Sequence, residues 1–238
     1  MKIKLFSFLI VFSIIISACS NDVLKTTKEK NESKSNMIES GKYQSPINIV
    51  SNNVKSMNDI GTLDLNYNNS FVSVKDNGHT IEVKNQDGIA NINGRQFSLT
   101  QFHFHAPSEH TIDGKQYEME LHFVNKSSSG RLAVLGVFFT IGSKNEAFQT
   151  ILDQIQKNKK IELPPTTTIN IQQLLPQERN YYHYLGSLTT APYTENVEWY
   201  VLKQPVEISK NQLQTFQKYY LDNSREVQPL YNRVILEK

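Results

Sequence analysis

His103, His105 and His110 are three of the six histidines of the chain, and they fall in one short run, Gln101-Phe-His-Phe-His-Ala-Pro-Ser-Glu-His110. Imidazoles alternating with phenylalanines form a strand pattern, because successive side chains of a strand point to opposite faces. Read as a strand over 98–105, the run puts Leu99, Gln101, His103 and His105 on one face and Thr100, Phe102 and Phe104 on the other. A second stretch, Tyr117 to Val124, puts Glu118, Glu120, His122 and Val124 on one face and Met119, Leu121 and Phe123 on the other. The connection contains Ile112-Asp113-Gly114-Lys115, a hairpin signal. Antiparallel pairing would then bring His122 beside His103 and His105. Three neutral nitrogen ligands leave one tetrahedral position open, the pattern of catalytic rather than structural zinc. Gln101 and Glu120 share those faces and can accept from the remaining imidazole N–H groups, fixing the rings. The competing reading is a polar network of strand histidines with no metal. His110, a buried and hydrogen-bonded loop residue on this reading, is not counted among the ligands.

These strands need a scaffold. Asp76-Asn77-Gly78, Asp87-Gly88 and Asn93-Gly94 are turn signals between apolar-polar alternations. Further strand candidates are the runs beginning at Tyr117, Arg131 and Asn196. Two segments read as helices, 145–158 and 209–222, the second opening on Ser209 as an N-cap. No internal repeat is visible. Many strands at short spacing with few helices predict one β-rich domain over 42–238, not alternating βαβ units.

Met1-Lys-Ile-Lys4 precedes a short apolar run that ends in small residues at Cys19, which reads as a secretory signal peptide over 1–18. The run is too short for a comfortable membrane span. Cys19 is the only cysteine, so no internal disulfide forms. Its setting, Ile-Ser-Ala-Cys, resembles the bacterial lipobox, and Cys19 is the expected lipidation site. Acyl chains there would make the protein exported and anchored to a bacterial membrane, on the cell surface or the periplasmic side. Residues 19–41 would then comprise the lipidated cysteine and a polar, flexible tether. The chain carries 25 basic and 23 acidic residues; Lys2 and Lys4 leave with the signal, so the remainder balances. A balanced charge gives no support for nucleic acid as a partner. The sequence leaves the oligomeric state open.

Beyond Gly41 the chain resembles the α-class carbonic anhydrases in their bacterial form. The resemblance rests on Gln44–Ile49 (QSPINI), Asn77-Gly-His79, 101–125, 132–139, Gly186–Pro192 (GSLTTAP), Glu198–Leu202 (EWYVL) and Gln228–Arg233 (QPLYNR), in the family's order. It implies a mainly β fold: a large, twisted, mostly antiparallel central sheet with a few short peripheral helices. It implies Zn2+ on His103, His105 and His122, with Gln101 and Glu120 behind them, and reversible hydration of CO2 to bicarbonate and a proton. Glu109 and Thr189 match the gatekeeping pair that orients the attacking hydroxide. Val124, Val134, Leu188, Val197 and Trp199 match the apolar CO2 pocket, Thr190 a bicarbonate contact and His79 the proton shuttle. Ser45-Pro46 and Ala191-Pro192 are expected to be cis. The family's N-terminal aromatic segment is missing, since residues 20–42 hold no Trp, His or Tyr.

His103-x-His105-x-x-x-Glu109 also fits cupin spacing. But Phe97 stands where a cupin wants glycine, and Tyr-Glu-Met-Glu-Leu precedes His122 in place of Pro-x-Gly. A catalytically silent binding relative would typically have lost a zinc histidine, and this chain keeps all three. A zinc-scavenging protein would want exposed histidine-rich loops.

Overall fold

The computed structural model describes residues 41–58, 61–84, 87–157 and 167–238. The expected signal segment, Cys19 and the tether up to residue 40 lie outside the described residues. In chain order the strands are β1 (Asn48–Ile49), β2 (Lys55–Ser56), β3 (Leu63–Asn66), β4 (Asn69–Asp76), β5 (Ile81–Lys84), β6 (Ile89–Ile92), β7 (Arg95–His105), β8 (Thr111–Ile112), β9 (Lys115–Gln116), β10 (Met119–Lys126), β11 (Leu132–Ile141), β12 (Thr167–Asn170), β13 (Tyr181–Ser187), β14 (Glu195–Ile208) and β15 (Leu236–Glu237). Helix α1 spans Glu146–Lys157 and α2 spans Lys210–Gln217.

Twelve strands form one sheet in the order β12-β4-β5-β7-β10-β11-β14-β13-β15-β2, with β3 and β6 attached beside β7. Most pairings are antiparallel; β11–β14 and β15–β2 are parallel. The small sheet β1-β8-β9 stands apart. This is the mainly β fold with few helices that the sequence led us to expect. The Asp113-Gly114 turn does form, with φ of 51° and 77°, but it closes the small β8–β9 hairpin inside the β7–β10 connection. Asn93 and Gly94, with φ of 49° and 74°, turn β6 into β7.

Strand β7 is long because two partners share it. β6 pairs with its first half and β5 with its second. Between the halves the register shifts: Val124 of β10 faces Gln101, but Asn125 faces Leu99. Thr100 is the extra residue of a β-bulge, and its hydroxyl donates to the Val124 carbonyl at 2.8 Å. The bulge corrects the face assignment above. Leu99 joins Phe97, Phe102 and Phe104 in the core, whereas Thr100 is exposed.

One face of the sheet packs on that core, with Leu121, Phe123, Leu135 and Phe139 from the sheet and Phe148, Ile151 and Phe216 from the helices. Each such buried side chain contributes about 1.5–3 kcal/mol. Asn145 caps α1, accepting from Phe148 N–H at 3.0 Å. Ser209 and Gln212 form a reciprocal capping box on α2. Helix α2 ends at Gln217, earlier than the sequence suggested. Ser45-Pro46 and Ala191-Pro192 are cis, as expected, and so is Ala106-Pro107, which was not foreseen.

Candidate metal centre

The register of four strands builds the site row by row. Gln101, Val124, Val134 and Trp199 lie side by side across β7, β10, β11 and β14. The next row holds His103, His122 and Gly136, and in the row beyond His105 faces Glu120. The phenylalanines of β7 and β10 anchor the opposite face in the core, which leaves the imidazoles little freedom. The ring centres of His103, His105 and His122 lie 5.0, 5.3 and 4.7 Å apart.

Each ring is held through one nitrogen. His103 Nδ1–H donates to Gln101 Oε1 at 2.8 Å. His105 Nδ1–H donates to the Asn223 carbonyl at 3.0 Å. His122 Nε2–H donates to Glu120 Oε1 at 3.0 Å. Nε2 of His103, Nε2 of His105 and Nδ1 of His122 remain, and one ligand atom from each ring can lie within 4.8 Å of the others. His105 Nε2 is buried without any partner. An orphaned buried acceptor carries a cost, and a metal ion bound by the three nitrogens would remove it. Three imidazoles suit zinc. Burial lowers the pKa of His103 and His105, the neutral state that a ligand requires. Burial also opposes charge on His122, but Glu120 and Glu109 outweigh it and raise its pKa. The same carboxylates favour any cation placed there.

Glu120 is wholly buried and saturated. Oε2 accepts from the N–H groups of Glu109 and His110 at 2.9 and 2.8 Å. Oε1 accepts from His122 and from His110 Nδ1–H at 2.7 Å. Burial would raise its pKa, but the His110 and His122 rings hold it well below the usual carboxylate range. The second nitrogen of His110 meets the Tyr184 hydroxyl at 2.7 Å, which in turn contacts Ser45 Oγ at 2.7 Å. His110, Glu120 and His122 are also close enough to suggest a metal. With both nitrogens of His110 occupied, only the His103, His105 and His122 set is open.

A cavity of about 380 Å³ opens near these rings, lined by His79, Glu109, Thr189, Thr190, Tyr193 and Arg225 among others. Thr189 and Glu109 are both buried in its wall, and no hydrogen bond joins them. Glu109 Oε1 accepts from Arg225 N–H at 2.8 Å, and Oε2 is buried without a partner. Thr190 is exposed at the rim. His79 is exposed too, its ring centre 6.3 Å from that of His105. Its loop is fixed by Asn77 Oδ1, which accepts from His79 and Thr80 N–H at 2.9 and 2.8 Å. Val124, Val134, Val197 and Trp199 are buried in one apolar cluster, with Leu188 partly buried against it. Trp199 stands edge-on to His122 at 4.9 Å and donates from Nε1 to the Ser187 carbonyl at 2.9 Å.

Three contributors were not read from the sequence. Strand β13 carries Tyr184, the far end of the His110 contact. Asn223 holds His105 through its carbonyl, while its side chain donates to the His79 and Phe104 carbonyls at 3.0 and 2.9 Å. Gly136 leaves space for Glu120: a Cβ there would lie 2.8 Å from Glu120 Oε1. That oxygen is fixed by two donors and cannot retreat. Gly136→Ala is therefore expected to weaken metal binding about 10- to 100-fold while leaving the protein folded. Competition with a chromogenic chelator measures this, and an unchanged affinity would show that Glu120 has slack.

Three imidazoles on adjacent strands, each with one nitrogen held from behind and one left over, define a mainly β protein with a cluster that could hold one metal ion beside a cleft. The family model of eukaryotic-type carbonic anhydrase matches residues 27–238. A carbonic anhydrase of Pectobacterium carotovorum is 37% identical over 99% of this chain and 100% of its own length. One from Nostoc is 39% identical over 83% of this chain and 76% of its own. Among solved structures, the α-carbonic anhydrase of Thermovibrio ammonificans in complex with sulfanilamide superposes with a TM-score of 0.78 at 42% identity, covering 82% of this chain and 87% of that one. The chain belongs to the α-carbonic anhydrase family.

Proposed function

We propose that the protein catalyses the reversible hydration of CO2 to bicarbonate and a proton, with Zn2+ held by His103, His105 and His122. The observation that carries this reading is the convergence of three ligand nitrogens beside the Val124, Val134 and Trp199 row, next to a cavity. When bound, zinc supplies a Lewis acid that brings the pKa of water to about 7, so a nucleophile exists at neutral pH. The chain's own residues do the rest. CO2 is small and neutral and offers no handle for strong polar binding, so the apolar cluster of Val124, Val134, Leu188, Val197 and Trp199 is its matching surface. Thr189 would donate its hydroxyl hydrogen to Glu109 and keep a lone pair to accept from the nucleophile, aiming it at substrate. Thr190 at the rim would contact the bicarbonate product. Gln101, Glu120 and the Asn223 carbonyl hold the three rings so that ligation needs no rearrangement. Metal analysis with CO2 hydration kinetics on the purified protein tests the reading; stoichiometric zinc without activity would refute it.

Each turnover leaves a proton that must reach bulk water. An imidazole is suited to carry it, because its unperturbed pKa lies near neutral. His79 is exposed, lines the cavity and sits near His105. His79→Ala is expected to lower the maximal rate about tenfold or more in dilute buffer, as loss of a general acid-base group does. Zinc content should stay unchanged, and added imidazole should restore much of the rate. A variant as fast as the parent in dilute buffer would remove His79 from the mechanism.

The basic start, apolar run and Ile-Ser-Ala-Cys setting support export and a lipid anchor on Cys19. Mass spectrometry of the membrane-extracted protein tests this, and an unmodified Cys19 would overturn it.

A further inference from the structure

At the other end of β7 from the histidines lies a larger cavity, of about 720 Å³. Arg95, Ser98, Lys126, Ser128, Ser129 and Arg131 are in its wall, and no acidic residue lines it. At about 3.3 Å per residue, roughly 25 Å of strand separates Arg95 from His103.

Its two arginines are fixed from behind. Arg95 donates to Glu198 through Nη1 and Nη2 at 2.7 and 2.6 Å, and Arg131 Nη1 donates to the same carboxylate at 3.1 Å. The Tyr200 hydroxyl donates to it at 2.9 Å. Burial would raise the pKa of Glu198, but Arg95, Tyr200 and Arg131 hold it at about 2. The Arg95 guanidinium also lies 5.6 Å from the Phe97 ring centre. Both cations nevertheless reach solvent: the Arg95 and Arg131 side chains are 41% and 58% exposed, that of Glu198 only 9%. Lys126 is exposed and makes no ion pair among the described residues. The turn at 127–131 adds hydroxyls. Ser127 Oγ accepts from Arg131 N–H at 3.0 Å, Gly130 closes the turn at φ 85°, and Ser128 is exposed.

Three cations thus face the cavity over one buried anion, and the surplus charge points outward. Side chains already immobilised lose little entropy when a ligand arrives. The Nη1–Nη2 fork of Arg95 is spent on Glu198, so the remaining guanidinium N–H groups, those of Arg131 above all, are the donors left for phosphate oxygens, and the ammonium adds a point charge. The charge of the whole chain is near balance, so the attraction is local to this wall.

We propose that this cavity binds a phosphate-type oxyanion, either the free ion or a monoester. The test titrates the zinc-loaded protein with inorganic phosphate and, separately, with glycerol 3-phosphate, at constant ionic strength. Heat of binding and thermal unfolding are followed. Saturable one-to-one binding of at least one anion is expected; binding of both would extend the site to ester-linked phosphate, and binding of inorganic phosphate alone would restrict it to the free ion. Lys126→Ala breaks no contact in the structure and should weaken binding threefold or more. Ser128→Glu adds a negative charge without touching the Glu198 cluster and should abolish it. Both variants should keep full zinc and full CO2 hydration. No saturation with either anion, or affinities that persist in both variants, would overturn the proposal, and neither result would bear on the metal centre.

Discussion

His122→Ala should leave a folded protein with almost no zinc and a CO2 hydration rate reduced at least about 100-fold, since even losing an outer partner of a ligand costs 10- to 100-fold in affinity or activity. In the proposed ligand set His122 is the only member from β10, and the two from β7 cannot close a three-nitrogen site alone. The fold should survive for a physical reason. Leu121 and Phe123, the neighbours of His122, keep their places in the core, and the β7–β10 ladder is made by the backbone. What changes locally is Glu120, which loses one of four donors and keeps three. Metal content by mass spectrometry and hydration kinetics decide the matter. Full zinc occupancy with the parent's rate would end the ligand assignment.

The strands of the site were legible because they are half-buried in the simplest way, with imidazole on one side and benzyl on the other. The bulge at Thr100 was legible in principle. Apolar positions on β7 run odd at Phe97 and Leu99 and even at Phe102 and Phe104, and such a change of parity needs one extra residue between them. Simple alternation carried through the change put Leu99 on the wrong face. Strand β13 was missed for the opposite reason. Tyr181, Tyr182 and Tyr184 are all buried, so both faces are covered and no period of two is visible.

Asn223 and Arg225 belong to another class. They serve the site through main-chain atoms, the carbonyl that holds His105 and the N–H that holds Glu109. A backbone group is the same at every residue, so nothing in side-chain type announces it. Gly136 also lay beyond reach: its need for a missing Cβ follows from where Glu120 points, not from its own strand. Local pattern therefore gives the three converging imidazoles and two of their partners, Gln101 and Glu120, whereas the main-chain acceptor behind His105 emerges only from tertiary contact.

Glu120→Gln should cost the metal-free protein about 3–5 kcal/mol at pH 7, the range for stripping one partner from a buried charged network. An ionised carboxylate only accepts, so His110 Nδ1 and His122 Nε2 both carry hydrogen toward Oε1, and two backbone N–H groups point at Oε2. With both rings kept in their present tautomers, a glutamine amide must place its NH2 against one of these pairs, and either choice opposes donors to donors in a fully buried site. The pH dependence has a definite sign. The native pKa of Glu120 is depressed from an ordinary 4.5. Its contribution is therefore fully present above about pH 4.5 and lost as pH falls toward the native value. Between pH 7 and about pH 5 the stability gap between parent and variant should widen, because Glu120 raises the pKa of His122 in the parent and the variant loses that support against burial. Below that it should narrow by up to about 1.4 kcal/mol per pH unit. Urea unfolding of the chelator-treated proteins across this range measures the gap. A variant within about 1 kcal/mol of the parent at pH 7, or a gap that keeps widening below about pH 4.5, would show that Glu120 is not held as an ionised acceptor.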